Sequence, residues 1–253
     1  MQLFNGDCLE VMESIPDKSV DMVLCDLPYG TTACKWDNVI PFEPMWEHLN
    51  RIIKDNGAIC LFGSEPFSSY LRMSNIKNFK YDWIWNKKKS GNIFLANLQP
   101  MKIHEVISVF CNGKCNYYPI KTLRQKLKVS KNYGTGEAIG GDRHKEDKTY
   151  VYDTRNPVSI LDFSNANQTG KVHPTQKPVA LCEYLIKTYT LENETVLDFT
   201  MGSGSTGVAA VKNHRDFIGI ELDKKYFEIA KERINEAAML NSIAYKSTVG
   251  RSD

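Results

Sequence analysis

Long hydrophobic runs are absent from this sequence. The longest apolar stretches, such as Val106–Cys111, fall well short of the ~18–20 residues that cross a bilayer. The first residues, Met1 to Asp7, also lack the charged start and apolar stretch of a secretory signal. We therefore expect a cytoplasmic protein that does not contact a membrane.

Cysteines are too few and too irregularly spaced for a disulfide scaffold. The chain has seven of them, an odd number, and we expect reduced thiols. Cys111 and Cys115 form a CxxxC pair, but no second cysteine pair and no pair of histidines lies nearby. Because structural zinc needs four such ligands, we expect no metal site.

The composition is that of an ordinary globular protein, with 42% hydrophobic and 25% charged residues in 253. This length fits one large domain, or one domain with an insertion. The net charge of +2 hides an uneven distribution. Residues 1–79 and 190–253 are acidic, whereas residues 114–131 contain six basic side chains and no acidic one. This basic segment suits either a solvated loop or a phosphate-binding surface.

Apolar runs alternate with amphipathic segments over most of the chain. The pattern predicts strands over Val20–Cys25, Ala58–Phe62, Tyr81–Trp85, Glu105–Phe110, Thr195–Phe199 and Phe217–Glu221. It predicts helices over 44–55, 65–75, 178–190 and 205–213, and a long one opened by Asp223. Between residues 112 and 170 no period is sustained. We therefore expect an α/β fold with a mostly parallel sheet and a loop-rich insertion.

A glycine-rich turn follows the strand that ends near Asp198. Gly202, Gly204 and Gly207 fit GxGxxG, and Glu221 follows Gly202 by nineteen residues. This spacing is typical of a NAD(P) site, in which the acid binds ribose hydroxyls. However, a carboxylate at Asp198 would repel a pyrophosphate and suits a cationic ligand such as S-adenosylmethionine. No Gly-Lys-Ser/Thr follows the glycines, which excludes a P-loop.

A second polar element, Asp26-Leu27-Pro28-Tyr29, ends the first predicted strand. It offers a carboxylate, a backbone carbonyl fixed by the following proline, and an aromatic face. Two acceptors and a ring suit the exocyclic amino group of a planar base. An ordinary strand-to-loop turn with Asp26 as a cap is the simpler alternative.

These motifs resemble those of the S-adenosylmethionine-dependent amino-methyltransferases of DNA. Asp26–Tyr29 is similar to their (D/N/S)PP(Y/F) catalytic motif, and Asp198–Gly204 to their cofactor loop. His173–Pro178, Ile218–Glu221 and Asn5–Glu10 resemble three further segments of the family. The resemblance covers residues 1–111 and 170–240, and the five motifs follow the permuted order of the β group. Leu27 replaces a proline of the family pattern, and Thr200 stands where proline is common.

The resemblance implies a Rossmann-like class I methyltransferase fold with a seven-stranded, mostly parallel, circularly permuted sheet. Residues 1–111 would form the catalytic half, 112–170 the target-recognition insertion, and 171–253 the cofactor-binding half. It implies methyl transfer from S-adenosylmethionine to adenine N6 in duplex DNA, by base flipping and direct in-line attack. An initial Asp is typical of adenine enzymes, and cytosine N4 is the alternative. No Pro-Cys pair, expected of a cytosine-C5 enzyme, occurs.

The resemblance also implies roles for individual residues. The catalytic residues would be Asp26, Leu27, Pro28 and Tyr29. The cofactor-binding residues would be Asp7, Cys8, Asp26, Thr175, Lys177, Asp198, Phe199, Thr200, Met201, Gly202, Ser203, Gly204 and Glu221. Within this set, Glu221 would hold the ribose, Asp7 the cofactor adenine, and Thr175 with Lys177 the methionine carboxylate.

Basic residues of the basic segment and of its flanking regions are the candidates for contact with DNA. They are Lys87, Lys88, Lys121, Arg124, Lys126, Lys128, Lys131, Arg143 and Lys145. The expected partner is double-stranded DNA, with a cognate restriction endonuclease as a second, indirect partner. The protein would be a monomer or homodimer, encoded by a bacterium or a phage. A methyltransferase acting on RNA or protein and a NAD-binding oxidoreductase are the competing interpretations.

Overall fold

Strands and helices alternate along the chain in the computed structural model, which describes residues 1–30, 38–90, 93–131, 149–165 and 176–249. The strands are β1 (Gln2–Asn5), β2 (Val20–Asp26), β3 (Ile53–Gly63), β4 (Phe79–Asn86), β5 (His104–Phe110), β6 (Thr122–Lys131), β7 (Thr149–Arg155), β8 (Ile160–Asp162), β9 (Thr195–Asp198) and β10 (Asp216–Glu221). The α-helices are α1 (Cys8–Glu13), α2 (Phe42–Ile52), α3 (Phe67–Ser74), α4 (Val179–Tyr189), α5 (Ser205–Lys212) and α6 (Lys224–Val249).

One mixed sheet contains eight of the strands in the described ranges, in the order β1-β10-β9-β2-β3-β5-β4-β8. All pairs from β1 to β3 are parallel, whereas β5 runs antiparallel to both of its neighbours. This confirms the expected α/β fold with a mostly parallel sheet. The sheet has one strand more than expected, because Ile160–Asp162 pairs with the edge strand β4.

Helices cover both faces of the sheet, which explains the continuous apolar run of β2. Met22 and Leu24 pack into the cluster that contains side chains of α4, α5 and α6. Val23 and Cys25, pointing the other way, pack into the cluster that contains side chains of α1, α2 and α3. A parallel strand buried on both faces has no polar side, as its sequence indicates.

The direction of strand succession reverses between β9 and β2. From β9 the chain passes through α5 to β10 on one side, whereas from β2 it passes through α2 to β3 on the other. Such a reversal leaves a crevice beyond the carboxyl ends of the two strands, where open α/β sheets bind ligands. Asp198 and Asp26 are the last residues of these strands.

The chain divides into two compact units, Met1–Tyr118 with Ser159–Asp253, and Pro119–Val158. The second unit contains an antiparallel two-stranded sheet of β6 and β7. No strand is expected from the sequence there, because most side chains of these strands are exposed and no buried face imposes an alternating pattern. Among the helices with expected bounds, the largest difference is at the end of α2, which ends at Ile52 since Ile53 already pairs with Val20 of β2.

The cysteines in the described part of the chain, Cys8, Cys25, Cys60, Cys111, Cys115 and Cys182, are free thiols. Four of the six are buried. Among the described residues no cluster of side chains could hold a metal ion. Within the same ranges, no helix has both the length and the apolar character needed to cross a bilayer.

A buried carboxylate links the strands that lead to the crevice. Asp21 of β2 accepts hydrogen bonds from Lys54 Nζ on β3, 2.8 Å from each oxygen. It also accepts the backbone N–H of Thr195, the first residue of β9, at 2.9 Å. Asp21 is 6% exposed, and its loss would remove this buried acceptor from both the Thr195 N–H and the Lys54 ammonium.

We predict that Asp21→Ala lowers the free energy of unfolding by about 2–3 kcal/mol, because it removes a charge-assisted bond and a buried acceptor. Urea denaturation measures the change. The matched control is Asp55→Ala, which removes an exposed ion pair with Lys18. The side chain of Asp55 is 80% exposed. That control should change stability by less than about 0.5 kcal/mol. Equal losses of unfolding free energy in the two variants would show that Asp21 does not hold the strands together.

Candidate active site

A cavity of about 1060 Å³ lies at the carboxyl ends of the parallel strands. It is lined by residues from the ends of β2, β9 and β10, and from the turn after β1. Ligand pockets are typically ~300–1,000 Å³, so this cavity has room for more than one small ligand.

The turn between β9 and α5 forms one wall of the cavity. Gly204 begins α5 with φ 81°, a conformation that favours glycine, and a Cβ there would lie 3.0 Å from the Cβ of Ala230 on α6. Gly202 has φ 52°, and open space surrounds the position that its Cβ would take. A ligand can therefore approach the backbone of this turn closely.

Two acidic side chains flank the far end of this wall. Glu221, at the end of β10, accepts the N–H of Gly202 and the N–H of Asp223, each at 2.8 Å. Burial raises the pKa of Glu221. Asp7, in the turn after β1, caps α1 by accepting the N–H of Leu9 at 2.8 Å. Each carboxylate keeps lone pairs for hydroxyl or amino donors of a ligand.

Asp198 lies deeper, at the end of β9, and is 3% exposed. Burial raises the pKa of its carboxyl to about 7, while the N–H of Thr200 donates to Oδ1 at 3.2 Å. A carboxylate held in so little water favours a cationic partner, because the partner would replace the lost hydration.

Asp26, at the end of β2, belongs to a second wall of the cavity. Lys177 Nζ donates to Oδ2 at 2.5 Å, and the Tyr29 hydroxyl donates to Oδ1 at 2.8 Å. The ring of Tyr29 stacks on Phe67, with centroids 5.0 Å apart and planes 30° apart. The side chain of Leu27 is buried in the core, which fixes the backbone of this element.

Lys177 belongs to a chain of four charged groups. Its ammonium also lies 3.4 Å from Glu105 Oε2, and Glu105 Oε1 accepts from Lys87 at 3.0 Å. Burial acts to lower the pKa of Lys177, but the charges of Asp26 and Glu105 outweigh it and raise that pKa. Burial raises the pKa of Asp26, and Lys177 offsets part of this. Lys177 is therefore an ammonium held between two carboxylates.

Thr200 ties the two walls together. Its hydroxyl donates to the backbone carbonyl of Asp26 at 2.9 Å and lies 2.9 Å from Sγ of Cys25. Its backbone N–H donates a hydrogen bond to Asp198 Oδ1. A residue that departs from the family pattern thus connects the ends of β2 and β9.

Most of the residues that the sequence singles out line this one cavity. They are Asp7, Cys8, Asp26, Leu27, Pro28, Tyr29, Lys87, Lys177, Asp198, Phe199, Thr200, Met201, Gly202, Ser203 and Glu221. Gly204 lies behind the wall, at the start of α5. Thr175 and the neighbouring His173 lie outside the described residues.

Several cavity residues were not expected from the sequence, among them Phe62, Trp85, Glu105, Gln176, Ser205 and Thr206. Glu105 begins a predicted strand, but nothing near it in the sequence shows that its partner is Lys177. Trp85 reads as an ordinary core residue, and it is 1% exposed. These residues become functional candidates only through long-range contacts.

The basic residues expected to contact DNA have varied surroundings. Lys88 Nζ pairs with Asp162 at 2.7 Å, and Arg124 Nε donates to the carbonyl of Thr154 at 2.9 Å. Three others, Lys121, Lys126 and Lys128, are exposed. The side chain of Lys131, and all of Arg143 and Lys145, lie outside the described residues.

The fold and the residues of the two walls indicate one class of protein, and a family profile matches the sequence. The profile of the family described as DNA methylase, the N6/N4 methyltransferases, matches residues 20–232. The chain belongs to this family. It is an S-adenosylmethionine-dependent DNA N6/N4 methyltransferase with a Rossmann-like class I fold.

Individual relatives align with this chain over 92–94% of its length. The type II methyltransferase M2.LlaDCHI of Lactococcus lactis subsp. cremoris is 29% identical over 93% of this chain and 90% of its own length. M.HinfI of Haemophilus influenzae is 27% identical over 92% and 68%. The crystal structure of M1.HpyAVI with S-adenosylmethionine has a TM-score of 0.60 at 25% identity, covering 92% of this chain and 98% of that one. PvuII DNA methyltransferase, cytosine-N4-specific, shares the fold, with a TM-score of 0.65 at 16% identity over 94% and 91%.

The raised pKa of Asp198 predicts a pH-dependent loss of stability. The folded pKa, about 7, lies above the ordinary value of 3.8, so the folded protein binds the proton more tightly than the unfolded chain. This contribution therefore weakens as pH rises from about 4 to 7. Asp198→Asn removes it. The melting temperature of Asp198→Asn should rise relative to that of the wild type between pH 5 and pH 8.

Thermal melts at pH 5, 6, 7 and 8 measure this difference, with Asp153→Asn, an exposed aspartate of β7, as the control. The control should follow the wild type at every pH. A constant difference between Asp198→Asn and the wild type would show that Asp198 does not titrate in this range.

Proposed function

We propose that this protein methylates the N6 amino group of adenine in duplex DNA. The observation that carries the proposal is that Asp26 lines the same cavity as the turn that follows β9. A carboxylate at the start of this motif is typical of adenine enzymes of the family, whereas serine is typical of cytosine enzymes.

The residues of the β9–α5 wall fit S-adenosylmethionine, which when bound supplies a methyl group on a sulfonium cation. The open backbone at Gly202 admits a ligand, and buried Asp198 suits the cation. The hydroxyl of Ser205, buried at the cavity, has no hydrogen-bond partner among the described residues and could accept or donate to the ligand. We assign the ribose hydroxyls to Glu221 and the adenine amino group to Asp7.

Asp26 and the Leu27 carbonyl would accept the two hydrogens of the target amino group. The nitrogen is a poor nucleophile while its lone pair is delocalised into the ring, and two acceptors favour the pyramidal form. Tyr29 is fixed by Phe67 on one ring face and by Asp26 at its hydroxyl. We assign its other ring face to stacking on the base.

A base inside a duplex could not reach Asp26, which lies in the cavity wall rather than on the surface. Base flipping therefore forms part of the proposal, and stacking on Tyr29 would offset some of the few kcal/mol that flipping costs.

We assign target recognition to the unit Pro119–Val158, part of the insertion expected over 112–170. Tyr150 and Tyr152 stack there, with ring centroids 6.3 Å apart, and both are partly exposed. Lys128 lies directly opposite Tyr152 across the strand pair. Directly paired residues point to the same face, so an exposed aromatic pair adjoins a cation, as nucleic-acid contact favours.

The names of the relatives support a further assignment. M2.LlaDCHI and M.HinfI are type II methyltransferases, the modification enzymes of restriction–modification systems. We therefore propose that the methylation protects DNA against an endonuclease with the same recognition sequence. The protein could do this as a monomer or as a homodimer.

The proposal is tested by transfer of labelled methyl groups to unmethylated duplex DNA, with Asp26→Asn beside the wild type. We expect N6-methyladenine from the wild type, identified by mass spectrometry of nucleosides. Asp26→Asn should lower kcat by about a hundredfold or more, because an amide is a weaker acceptor without charge.

Binding of S-adenosylmethionine to Asp26→Asn, measured by calorimetry, serves as the control and should change less than about threefold. N4-methylcytosine as the product would keep the acceptor role of Asp26 and replace adenine by cytosine. Absence of transfer to any DNA would refute the proposal and favour an RNA or protein substrate.

A second prediction concerns the exposed aromatic pair. Tyr152→Ala should raise the Kd for duplex DNA about tenfold, within the ~1–3 kcal/mol typical of one aromatic–base contact. Fluorescence anisotropy at fixed salt measures it. Tyr70→Ala, which removes a 67% exposed tyrosine of α3, is the matched control and should leave the Kd unchanged. An unchanged Kd for Tyr152→Ala would exclude this face from the DNA interface.

A further inference from the structure

Both oxygens of Asp26 already accept a hydrogen bond in the structure, which leaves each with part of its acceptor capacity. Oδ2 accepts the Lys177 ammonium at 2.5 Å, and Oδ1 accepts the Tyr29 hydroxyl at 2.8 Å. If Asp26 is to accept an amino group from the base, the ammonium is a competitor for the same carboxylate. The ammonium also lowers the basicity of the carboxylate while the ion pair is intact.

Among the described residues, Glu105 is the second carboxylate paired with Lys177. Glu105 Oε2 lies 3.4 Å from Nζ, too far for a strong hydrogen bond, and this buried oxygen has no hydrogen-bond partner among the described residues. A buried carboxylate oxygen with unused acceptor capacity is costly, so it indicates a bond formed in another state of the site.

Two features hold Glu105 ready for that bond. Lys87 binds its other oxygen, Oε1, at 3.0 Å and so fixes the carboxylate. In the sheet, Glu105 of β5 is paired with Trp85 of β4, so its backbone lies on a rigid element.

The path of the ammonium is equally restricted. Lys177 is 10% exposed, and its Nζ lies 5.2 Å from the ring centroid of Phe62 and 6.0 Å from that of Trp85. An ammonium that leaves Asp26 therefore moves along these aromatic faces towards Glu105 rather than into water.

We infer that Glu105 is a positioning residue that takes over the Lys177 ammonium when the target base arrives, and so frees Asp26 to accept the amino group. No covalent bond changes in this step, since one ion pair replaces another. The inference rests on the proposed function, because it requires an amino group that binds to Asp26. It assigns Lys177 to control of Asp26 and not to the methionine carboxylate, the role expected from the sequence.

Two substitutions at Glu105 separate this role from simple packing. Glu105→Gln keeps the size of the side chain and removes its charge, whereas Glu105→Asp keeps the charge and shortens the chain by one methylene. A takeover role predicts that Glu105→Gln is the slower enzyme, with kcat reduced about tenfold or more, and that Glu105→Asp recovers part of the rate. A packing role predicts the reverse order, because only Glu105→Asp leaves a cavity.

The experiment measures kcat on duplex DNA, equilibrium Kd for S-adenosylmethionine and for DNA, and the melting temperature of each variant. We expect both Kd values of Glu105→Gln within about twofold of the wild type, with the loss confined to kcat. Glu65→Gln makes the same chemical change in an ion pair with Arg72 away from the cavity, and its kcat should be unchanged.

Each other outcome overturns the inference in a distinct way. Wild-type kcat in Glu105→Gln, or the reversed order of the two variants, refutes the takeover while the proposed function stands. A Kd for S-adenosylmethionine raised tenfold in Glu105→Gln would assign Lys177 to the cofactor instead. A wild-type protein that transfers no methyl group to DNA would remove the proposed function, and the inference with it.

Discussion

The parallel pairing of β9 with β2 is the constraint on which the site depends. Met22 pairs with Val196 and Val23 with Leu197, so the two strands end side by side. Their last residues are Asp198 and Asp26, and the direction of strand succession reverses between them. A crevice with one carboxylate on each wall follows from this single pairing.

The carboxylates of Asp26 and Asp198 line the same cavity, and the charge of Asp26 contributes to the raised pKa of Asp198. The groups that surround the two carboxylates differ. In the described part of the chain the donors to Asp198 are neutral, and burial raises its pKa to about 7. Asp26 receives the ammonium of Lys177, which offsets part of the effect of burial. Burial raises the pKa of both carboxyls, but Asp26 is bound to an ammonium, whereas the charge of Asp198 suits the cation of a ligand.

The sequence predicted those parts of the fold whose signals are local. The apolar run of β2, the glycine turn and the cap at Asp223 are read from neighbouring residues, and Asp223 does accept the N–H groups of Lys225 and Tyr226. The strands of the second unit were missed because they bury little and carry no periodic pattern. The ion pairs of Lys177 were missed because its partners are distant in the chain, and charge alone does not specify which carboxylate a lysine meets.

Thr200 shows how such a long-range contact alters the interpretation of a motif. By comparison with the family pattern it is a minor departure from proline. In the structure its N–H donates to Asp198 and its hydroxyl to the Asp26 carbonyl, and proline has neither donor. The same carbonyl precedes Leu27, whose own carbonyl is the second proposed acceptor for the amino group. A side chain of the cofactor wall therefore adds a hydrogen bond to the backbone of the base wall, beyond the pairing of β9 with β2.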